Sequence, residues 1–166
     1  MIYRIFRGAI LTLFVTFWAG LAVAQPTAAF VMDGRTGEVL LARNADQRVH
    51  PASLTKMMTL YLAFVELEAG RITVDQRVTI SANAAAEPPS ELRLRAGQVV
   101  TVQTLIRGAA IRSANDAATA LGELISGTEA AFAERMTQTA RAMGMRNTTL
   151  RNANGLTAEG HLSTAR

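Results

Sequence analysis

Cysteine is absent from the 166 residues of this chain, so no disulfide contributes to its stability. Because oxidising compartments permit disulfides without requiring them, this absence does not exclude an exported protein. Aromatic residues make up 5% of the sequence and charged residues 18%, whereas hydrophobic residues make up 49%. This balance is typical of one globular domain preceded by an apolar leader, and the lack of repeats and low-complexity runs excludes fibrous and disordered classes.

The features of a nucleic-acid-binding or metal-binding protein are also missing. The net charge of +4 falls to +2 without Arg4 and Arg7, and no basic cluster follows a predicted face, so no nucleic-acid partner is expected. His50 and His161 are isolated histidines without a cluster of further ligands, which argues against a metal site. No glycine-rich phosphate loop occurs, and nothing in the sequence calls for a cofactor.

The N-terminal residues have the pattern of a signal peptide. Arg4 and Arg7 precede the uncharged apolar run Gly8–Ala24, which ends in Ala-Val-Ala, a pattern that signal peptidases cleave. The run is short for a membrane-spanning helix, which needs ~20 residues, although an uncleaved anchor is the alternative. We therefore expect residues 1–24 to be removed and the protein to be exported.

After the leader, the sequence predicts a hairpin and then helices. Two apolar segments, 28–32 and 38–42, flank a turn rich in Asp and Gly, as two antiparallel strands would. The stretch from Ser53 to Ala69 is apolar on almost every side, which predicts a buried helix. Because two strands alone are marginally stable, we expect residues that this sequence does not contain to complete the sheet. Further predicted elements are an extended stretch over 72–80, a short strand over 92–95, helices over 101–112 and 117–125, and a helix after Thr128.

Lysine is nearly as scarce as cysteine, because Lys56 is the single lysine among 17 basic residues. Arginine stays protonated in proteins, whereas a buried lysine can lose its proton. Position 56 is therefore a candidate for chemistry that needs a neutral amine. Chance survival of one lysine explains this count alone equally well.

Ser53 lies three residues before Lys56, on the same face of the predicted helix. A neutral amine can take the proton of a serine hydroxyl and so turn it into a nucleophile. Burial and the positive N-terminal end of the helix would both lower the pKa of the amine towards ~7. Taken alone, the pair is explained at least as well by Ser53 as a helix N-cap and Lys56 as a solvated cation.

A second motif, Ser113-Ala114-Asn115, interrupts a later helical stretch. In a tight turn, a hydroxyl and an amide two residues apart can both face a cleft. There Ser113 would pass a proton between Lys56 and a leaving group, and Asn115 would donate to a substrate amide. The alternative is that both side chains cap helices at a boundary.

The two motifs together resemble those of penicillin-binding proteins and class A β-lactamases, which carry Ser-x-x-Lys, Ser-Asp-Asn and Lys-Thr-Gly. The sequence is most similar to the D-alanyl-D-alanine carboxypeptidases of the low-molecular-mass penicillin-binding group. The resemblance runs along nearly the whole mature chain. The matching blocks are residues 33–40, 51–59, 113–117, 144–145, 154–156 and 161–165.

This resemblance implies a transpeptidase-like α/β fold, in which helices flank an antiparallel sheet and residues 25–166 form the N-terminal portion of the catalytic domain. It further implies a bacterial enzyme in the periplasm or at the outer face of the cytoplasmic membrane. Its partners would be the D-Ala-D-Ala ends of peptidoglycan stem peptides, which acylate Ser53 before hydrolysis, and β-lactams, which acylate the same serine. By the motif match, Lys56 would be the base, and Ser113 and Asn115 would line the cleft.

Two departures from the family pattern bear on the activity. The middle motif is Ser-Ala-Asn, and no Glu-x-x-Leu-Asn segment follows it, which favours a carboxypeptidase over a β-lactamase. No Lys-Thr-Gly occurs, and we expect the substrate-binding strand that carries it, with any C-terminal domain and membrane tether, beyond residue 166. A β-lactamase or esterase of the same fold and a truncated, non-catalytic cell-wall protein are the alternatives.

Overall fold

The computed structural model describes residues 27–166, so the predicted signal peptide lies outside the described residues. The described part begins with a hairpin in which β1 (Ala29–Met32) pairs antiparallel with β2 (Val39–Arg43). Between the strands, the Asp33 carboxylate accepts hydrogen bonds from the backbone amides of Arg35 and Thr36 at 2.9 and 2.8 Å. An aspartate that bonds amides two and three residues ahead stabilises a turn, and the predicted hairpin is confirmed.

Helices and a second pair of strands follow the hairpin within residues 27–166. Ala52–Leu54 form a 3-10 turn that runs directly into the first α-helix. In chain order the remaining elements are α1 (Thr55–Glu68), β3 (Arg77–Thr79), α2 (Ala82–Ala85), β4 (Val99–Thr101), α3 (Val102–Arg112), α4 (Asn115–Ser126) and α5 (Glu129–Ala142).

Two of these helices begin where the sequence places a cap. The side chain of Thr101 accepts from the backbone amide of Thr104 at 3.2 Å, and that of Thr128 accepts from the amide of Ala131 at 3.1 Å. Each threonine satisfies an amide that the first helical turn leaves unpaired, which stabilises the helix by about 1 kcal/mol. The predicted starts of α3 and α5 are therefore confirmed.

The second sheet differs from the prediction. Of the extended stretch predicted over 72–80, the structure forms a strand only at β3 (Arg77–Thr79), which pairs antiparallel with β4. The predicted strand over 92–95 is wrong, because the backbone amides of Leu92 and Leu94 donate to the Asp116 carboxylate at 3.0 Å and not to a neighbouring strand. The alternation of apolar and basic residues there reflects the packing of both leucines against the core.

Helix α4 lies at the centre of the core. Its first eight residues, 115–122, are all buried, and α1, α2, α3 and α5 pack against it. Small side chains permit this close packing, since a Cβ at Gly122 would approach the Phe132 ring to 2.7 Å. Because α4 begins at Asn115, its packing fixes the position of the second motif inside the molecule.

Ion pairs of the buried Glu66 carboxylate with two partly exposed arginines tie the end of α1 to α5. The Glu66 carboxylate accepts from Nε and Nη2 of Arg71 at 2.6 and 2.8 Å, and it also bonds Arg135. The hydrogen bond from Arg71, with the contribution of Arg135, lowers the pKa of Glu66 from 4.5 to about 2. Such a bidentate pair adds orientation as well as energy, so it helps to set how the two helices pack.

The prediction that α1 is buried on every side is wrong for one face. Leu54, Met57 and Phe64 are 69%, 68% and 53% exposed, and Tyr61 is exposed on the same side. All five residues of β2 are exposed as well. Large exposed apolar patches usually mark surfaces that another part of a protein covers. An apolar helix sequence therefore predicts that each face of the helix is covered by other residues. It does not predict that those residues lie within the described part of the chain.

We expect residues 25–166, produced alone, to behave as a partly folded domain. The uncovered face of α1 should bind the dye ANS, and the fragment should melt over a broad temperature range, because a lone hairpin and a half-covered helix add little cooperative burial. Dye fluorescence and differential scanning calorimetry test this expectation. A single sharp transition without dye binding would contradict it.

Candidate active site

Lys56 is buried in the core, where lysine is seldom found. It is the second residue of α1 and is only 3% exposed. Its Nζ donates to Asn115 Oδ1 at 2.7 Å and to the backbone carbonyl of Asn154 at 2.6 Å. Among residues 27–166, no carboxylate oxygen lies within 4.0 Å of this nitrogen. Burial therefore lowers the pKa of Lys56, while the more distant charge of Glu87 acts in the opposite direction.

The two acceptors around Lys56 match what a neutral amine offers. An ammonium group has three N–H donors, whereas a neutral amine has two donors and one lone pair. When Asn115 and Asn154 receive both donors of the neutral form, the lone pair is left free to take a proton. The charged form has a third N–H, which has no hydrogen-bond partner among the described residues, and burial lowers the pKa of the amine. The arrangement therefore suits a general base.

Ser53 lies in the 3-10 turn, one helical turn before Lys56, and is exposed. Neither this turn nor α1 begins with a side-chain cap, so the alternative that Ser53 caps the helix is not supported. Within the described part of the chain, its hydroxyl is not among the hydrogen-bond partners of Lys56. Catalytic hydrogen bonds are often long in a ligand-free enzyme and shorten in the reacting complex. The structure thus leaves the Ser53 hydroxyl accessible without joining it to its expected base.

The second motif forms the junction between α3 and α4. Ser113 ends α3 in the left-handed conformation, with φ 52° and ψ 34°, which costs a serine about 1–2 kcal/mol. Asn115 begins α4 and is buried, with its Oδ1 on Lys56 and its Nδ2 donating to the Pro88 carbonyl at 2.9 Å. Ser113 is the C-cap residue of α3, so the capping alternative holds for that residue, whereas α4 begins without a side-chain cap. The structure therefore brings Asn115 to Lys56, with one amide hydrogen of Asn115 left for a further acceptor.

Asp116 holds the segment that covers this junction, and sequence reasoning gave it no role. Its carboxylate is 1% exposed and accepts from the backbone amides of Leu92, Leu94 and Ala117. The backbone carbonyl of Ser90 accepts from the amide of Asn115 at 2.7 Å. These bonds satisfy amides that would otherwise be unpaired in the core, and they fix the segment over the start of α4.

The loop around Asn154 is a second part of the site that sequence reasoning missed. While the Asn154 carbonyl binds Lys56, the backbone at Gly155 passes directly beside the 3-10 turn. A Cβ at Gly155 would overlap the carbonyl of Ala52 and lie 3.1 Å from the nitrogen of Ser53. Gly155 also has φ +91°, a conformation that favours glycine. Because a backbone carbonyl has no side-chain signature, the required glycine is the only sign of this contact in the sequence.

His161 links the segment before Asn154 to the start of α1 through two hydrogen bonds, to Arg151 and to Thr55. The histidine is 1% exposed, and its Nδ1 accepts from the backbone amide of Arg151 at 3.0 Å. Since Nδ1 is an acceptor, Nε2 carries the proton and donates to Thr55 Oγ1 at 2.8 Å. Burial lowers the pKa of His161, which favours this neutral form. His161 thus has a structural contact next to Lys56.

The described part of the chain has neither a cluster of metal ligands nor a helix that could cross a membrane. Within residues 27–166, no three His, Cys, Asp or Glu side chains come together in a way that could hold a metal ion. In the same part of the chain, every helix is too short or too polar to cross a membrane. The groups present at the candidate site are a hydroxyl, an amine and amides.

Comparison with known proteins identifies the family. A family profile described as D-alanyl-D-alanine carboxypeptidase matches residues 21–166. The chain belongs to the D-alanyl-D-alanine carboxypeptidase family. It is similar to the D-alanyl-D-alanine carboxypeptidase DacF of Bacillus subtilis, with 40% identity over 141 residues that cover 85% of this chain and 36% of that protein. The family expected from the motifs is confirmed.

Solved structures of a D-alanyl-D-alanine carboxypeptidase and of a penicillin-binding protein share the fold. DacD from Francisella tularensis is 42% identical, with a TM-score of 0.80 over 87% of this chain and 35% of that chain. Penicillin binding protein 5 from Haemophilus influenzae is 38% identical, with a TM-score of 0.78 over 87% of this chain and 44% of that chain. The transpeptidase-like fold expected from the sequence is confirmed for this part of the domain. The chain spans about a third of the length of the curated relatives that it matches.

We expect Gly155→Ala to damage the site far more than an alanine at a glycine with similar backbone angles. The new Cβ would push the loop away from Ala52 and Ser53, so the full-length protein should lose about 2–4 kcal/mol of unfolding free energy and at least about tenfold in acylation rate. Gly144 is the matched control, because it has φ +87° and no atom lies within 4 Å of the position that a Cβ would take there.

Denaturant unfolding and the acylation rate of both variants measure the difference. Gly144→Ala should cost only the left-handed backbone penalty of about 1–2 kcal/mol and keep the acylation rate. Equal losses in the two variants would contradict a specific role for the approach of Gly155 to Ser53.

Proposed function

We propose that this chain carries the nucleophile and base of a serine-type D-Ala-D-Ala carboxypeptidase that trims peptidoglycan stem peptides. Membership of the family supports the reaction class, and the names of the relatives support the substrate. The observation that carries the proposal is the buried amine of Lys56, which donates two hydrogen bonds. A neutral amine that donates both of its N–H groups still has a lone pair that can take a proton. A buried lysine with a lowered pKa is the kind of group that catalysis requires and stability does not.

In the proposed acylation step, the Lys56 lone pair takes the proton of the Ser53 hydroxyl. The Ser53 oxygen then attacks the carbonyl carbon of the penultimate D-Ala, and the peptide bond to the terminal D-Ala breaks. The proton passes from Lys56 through the Ser113 hydroxyl to the nitrogen of the departing D-Ala. The products are an acyl ester on Ser53 and free D-alanine.

Deacylation reverses the proton path. Lys56, again neutral, takes a proton from water, and the water oxygen attacks the ester carbonyl. The Ser53 oxygen leaves and takes the proton that Lys56 holds, and the shortened stem peptide departs as a carboxylic acid that releases its proton to solvent. The free amide hydrogen of Asn115 donates to the substrate amide, and amides at the start of α1 stabilise the negative charge on the carbonyl oxygen.

The same serine is proposed to react with β-lactams, because their strained amide presents a carbonyl carbon to the nucleophile. In that reaction the amide bond of the lactam ring breaks and the acyl group stays on Ser53. The similarity to penicillin binding protein 5 of Haemophilus influenzae supports this part of the proposal. β-Lactams are therefore suitable probes of the site.

The proposed organisation follows from the sequence and the exposed face of α1. Residues 1–24 act as a signal peptide, and the enzyme works in the periplasm or at the outer face of the cytoplasmic membrane. Residues 25–166 form the N-terminal portion of the catalytic domain. The rest of that domain covers β2 and the apolar face of α1 and supplies the strand that binds the substrate carboxylate.

We expect a fluorescent penicillin to label the longer protein that contains this chain, and Ser53→Ala to abolish the labelling. Lys56→Arg should lower the acylation rate by at least about 100-fold, because arginine keeps the charge but cannot act as a base. Gel fluorescence after timed exposure measures both effects.

Ser126→Ala is the matched control, since Ser126 has a buried hydroxyl without a hydrogen-bond partner in the described structure. It should leave labelling unchanged. Labelling that persists in Ser53→Ala would overturn the nucleophile, and a fully active Lys56→Arg would overturn the neutral-amine mechanism.

A further inference from the structure

A polar cluster next to the Asn154 loop, with two half-buried carboxylates around a buried hydroxyl, has no part in the proposed chemistry. The cluster consists of Glu87, Thr119 and Glu129, and Thr119 is completely buried. The Thr119 hydroxyl lies 2.8 Å from Glu87 Oε1 and 3.3 Å from Glu129 Oε1, and it accepts from Asn154 Nδ2 at 3.1 Å. Since one hydroxyl has one proton, it donates to the nearer carboxylate, that of Glu87. We call these three residues the Thr119 cluster.

The Thr119 cluster fixes the loop that supplies one acceptor to Lys56. The side chain of Asn154 is held by Thr119, and the backbone amide of Ala153 donates to Glu129 Oε1 at 3.1 Å. The carbonyl of Ala153 accepts from Thr59 at 2.6 Å. Hydrogen bonds to the Asn154 side chain and to the backbone of Ala153 therefore position the Asn154 carbonyl that binds Lys56.

The other acceptor of Lys56, the side chain of Asn115, is hydrogen-bonded to Pro88, the residue that follows Glu87. The carbonyl of Pro88 accepts from Asn115 Nδ2 at 2.9 Å, which fixes the orientation of the amide and turns its Oδ1 towards Lys56. Glu87 and Pro88 thus connect to both acceptors, one through a side chain and the other through a backbone carbonyl. Two adjacent residues in a loop hold the hydrogen-bonding environment of the base.

The charge of Glu87 also acts on Lys56. Burial raises the pKa of Glu87, as does Glu129, whereas hydrogen bonding from Thr119 and Asn154 and the charge of Lys56 favour its ionised form. The ionised carboxylate in turn raises the pKa of Lys56 against the effect of burial. The two other titratable groups nearby have their own partners. These are Asp116, whose carboxylate is filled by backbone amides, and His161, which is bonded to Thr55 and Arg151.

We propose that Glu87 is a positioning residue for the Lys56 base, which acts through Thr119 on Asn154 and through Pro88 on Asn115, and whose charge sets the pH range in which the base works. The inference rests on the proposed function, because it assigns Glu87 a role towards the base of that reaction. Geometry and charge make separate contributions, so two variants can separate them.

The test uses the second-order rate constant of penicillin acylation, measured against pH in the longer protein that contains this chain. Glu87→Gln removes the charge but keeps an oxygen for Thr119 to bond. The Glu87 carboxylate favours protonated Lys56, so its removal should shift the acid limb, where the rate rises with pH as Lys56 loses its proton, to lower pH by about half a unit. The plateau rate, reached once Lys56 is neutral, should stay within about twofold of the wild-type value.

Thr119→Val removes the hydroxyl and keeps the charge. The plateau rate should fall about tenfold, while the acid limb keeps its position, because Asn154 loses its anchor but Glu87 keeps its carboxylate. Thr119→Ser should restore most of the rate, since it restores the hydroxyl.

Two matched controls separate these effects from general ones. Glu134→Gln makes the same charge change at an exposed position on α5 and should leave both limb and plateau unchanged. Thr148→Val removes a buried hydroxyl bonded to Ser163 and should lower the melting temperature without lowering the acylation rate. If Thr119→Val fails to fold, Glu87→Gln and Thr119→Ser still decide the outcome.

The inference is overturned if wild-type protein is labelled but Glu87→Gln and Thr119→Val both match its rate and pH profile. It is overturned equally if Glu134→Gln moves the limb as far as Glu87→Gln does. Absence of labelling in the wild type, or labelling that persists in Ser53→Ala, is a different result, because it rejects the proposed function itself.

Discussion

The arrangement of the site depends on burying one amine between two neutral acceptors. The Lys56 nitrogen binds the Asn115 side chain and the Asn154 carbonyl, and within residues 27–166 no carboxylate lies close enough to form a salt bridge. A paired carboxylate would stabilise the ammonium form, whereas burial without such a pair lowers the pKa of the amine. Three separate parts of the chain must meet for this: the start of α1, the start of α4 and the loop at Asn154.

Steric constraints keep those three parts together. The small residues of α4 let α3 and α5 pack closely on either side, which places Asn115 beside α1. Glycine at position 155 lets the loop pass against the turn that carries Ser53. Buried polar groups then fix the positions that close packing allows, because each unpaired donor or acceptor in the core would be costly. The positions of Lys56 and Asn115 thus depend on residues outside the candidate site.

The sequence predicts those parts whose signals are local. Asp33 identifies the hairpin turn, Thr101 identifies the start of α3, and the isolated Lys56 identifies the position where a buried amine is found. The Asn154 carbonyl could not be predicted, because it is a backbone group that meets Lys56 only in the folded chain. The strand expected over 92–95 failed for a similar reason, since Asp116, far along the sequence, binds its amides. The roles of Ser53 and Ser113 stay predictions.

The ionisation of Lys56 can be measured directly by NMR, since no other lysine within these 166 residues contributes a signal. Lysine labelled with carbon-13 at Cε, incorporated into the longer protein, gives an NMR signal for residue 56 that the Lys56→Arg spectrum identifies. The account predicts that this signal titrates below the ordinary pKa of 10.5. A titration at or above that value would show that the amine stays charged at neutral pH, and it would contradict the role of Lys56 as a base.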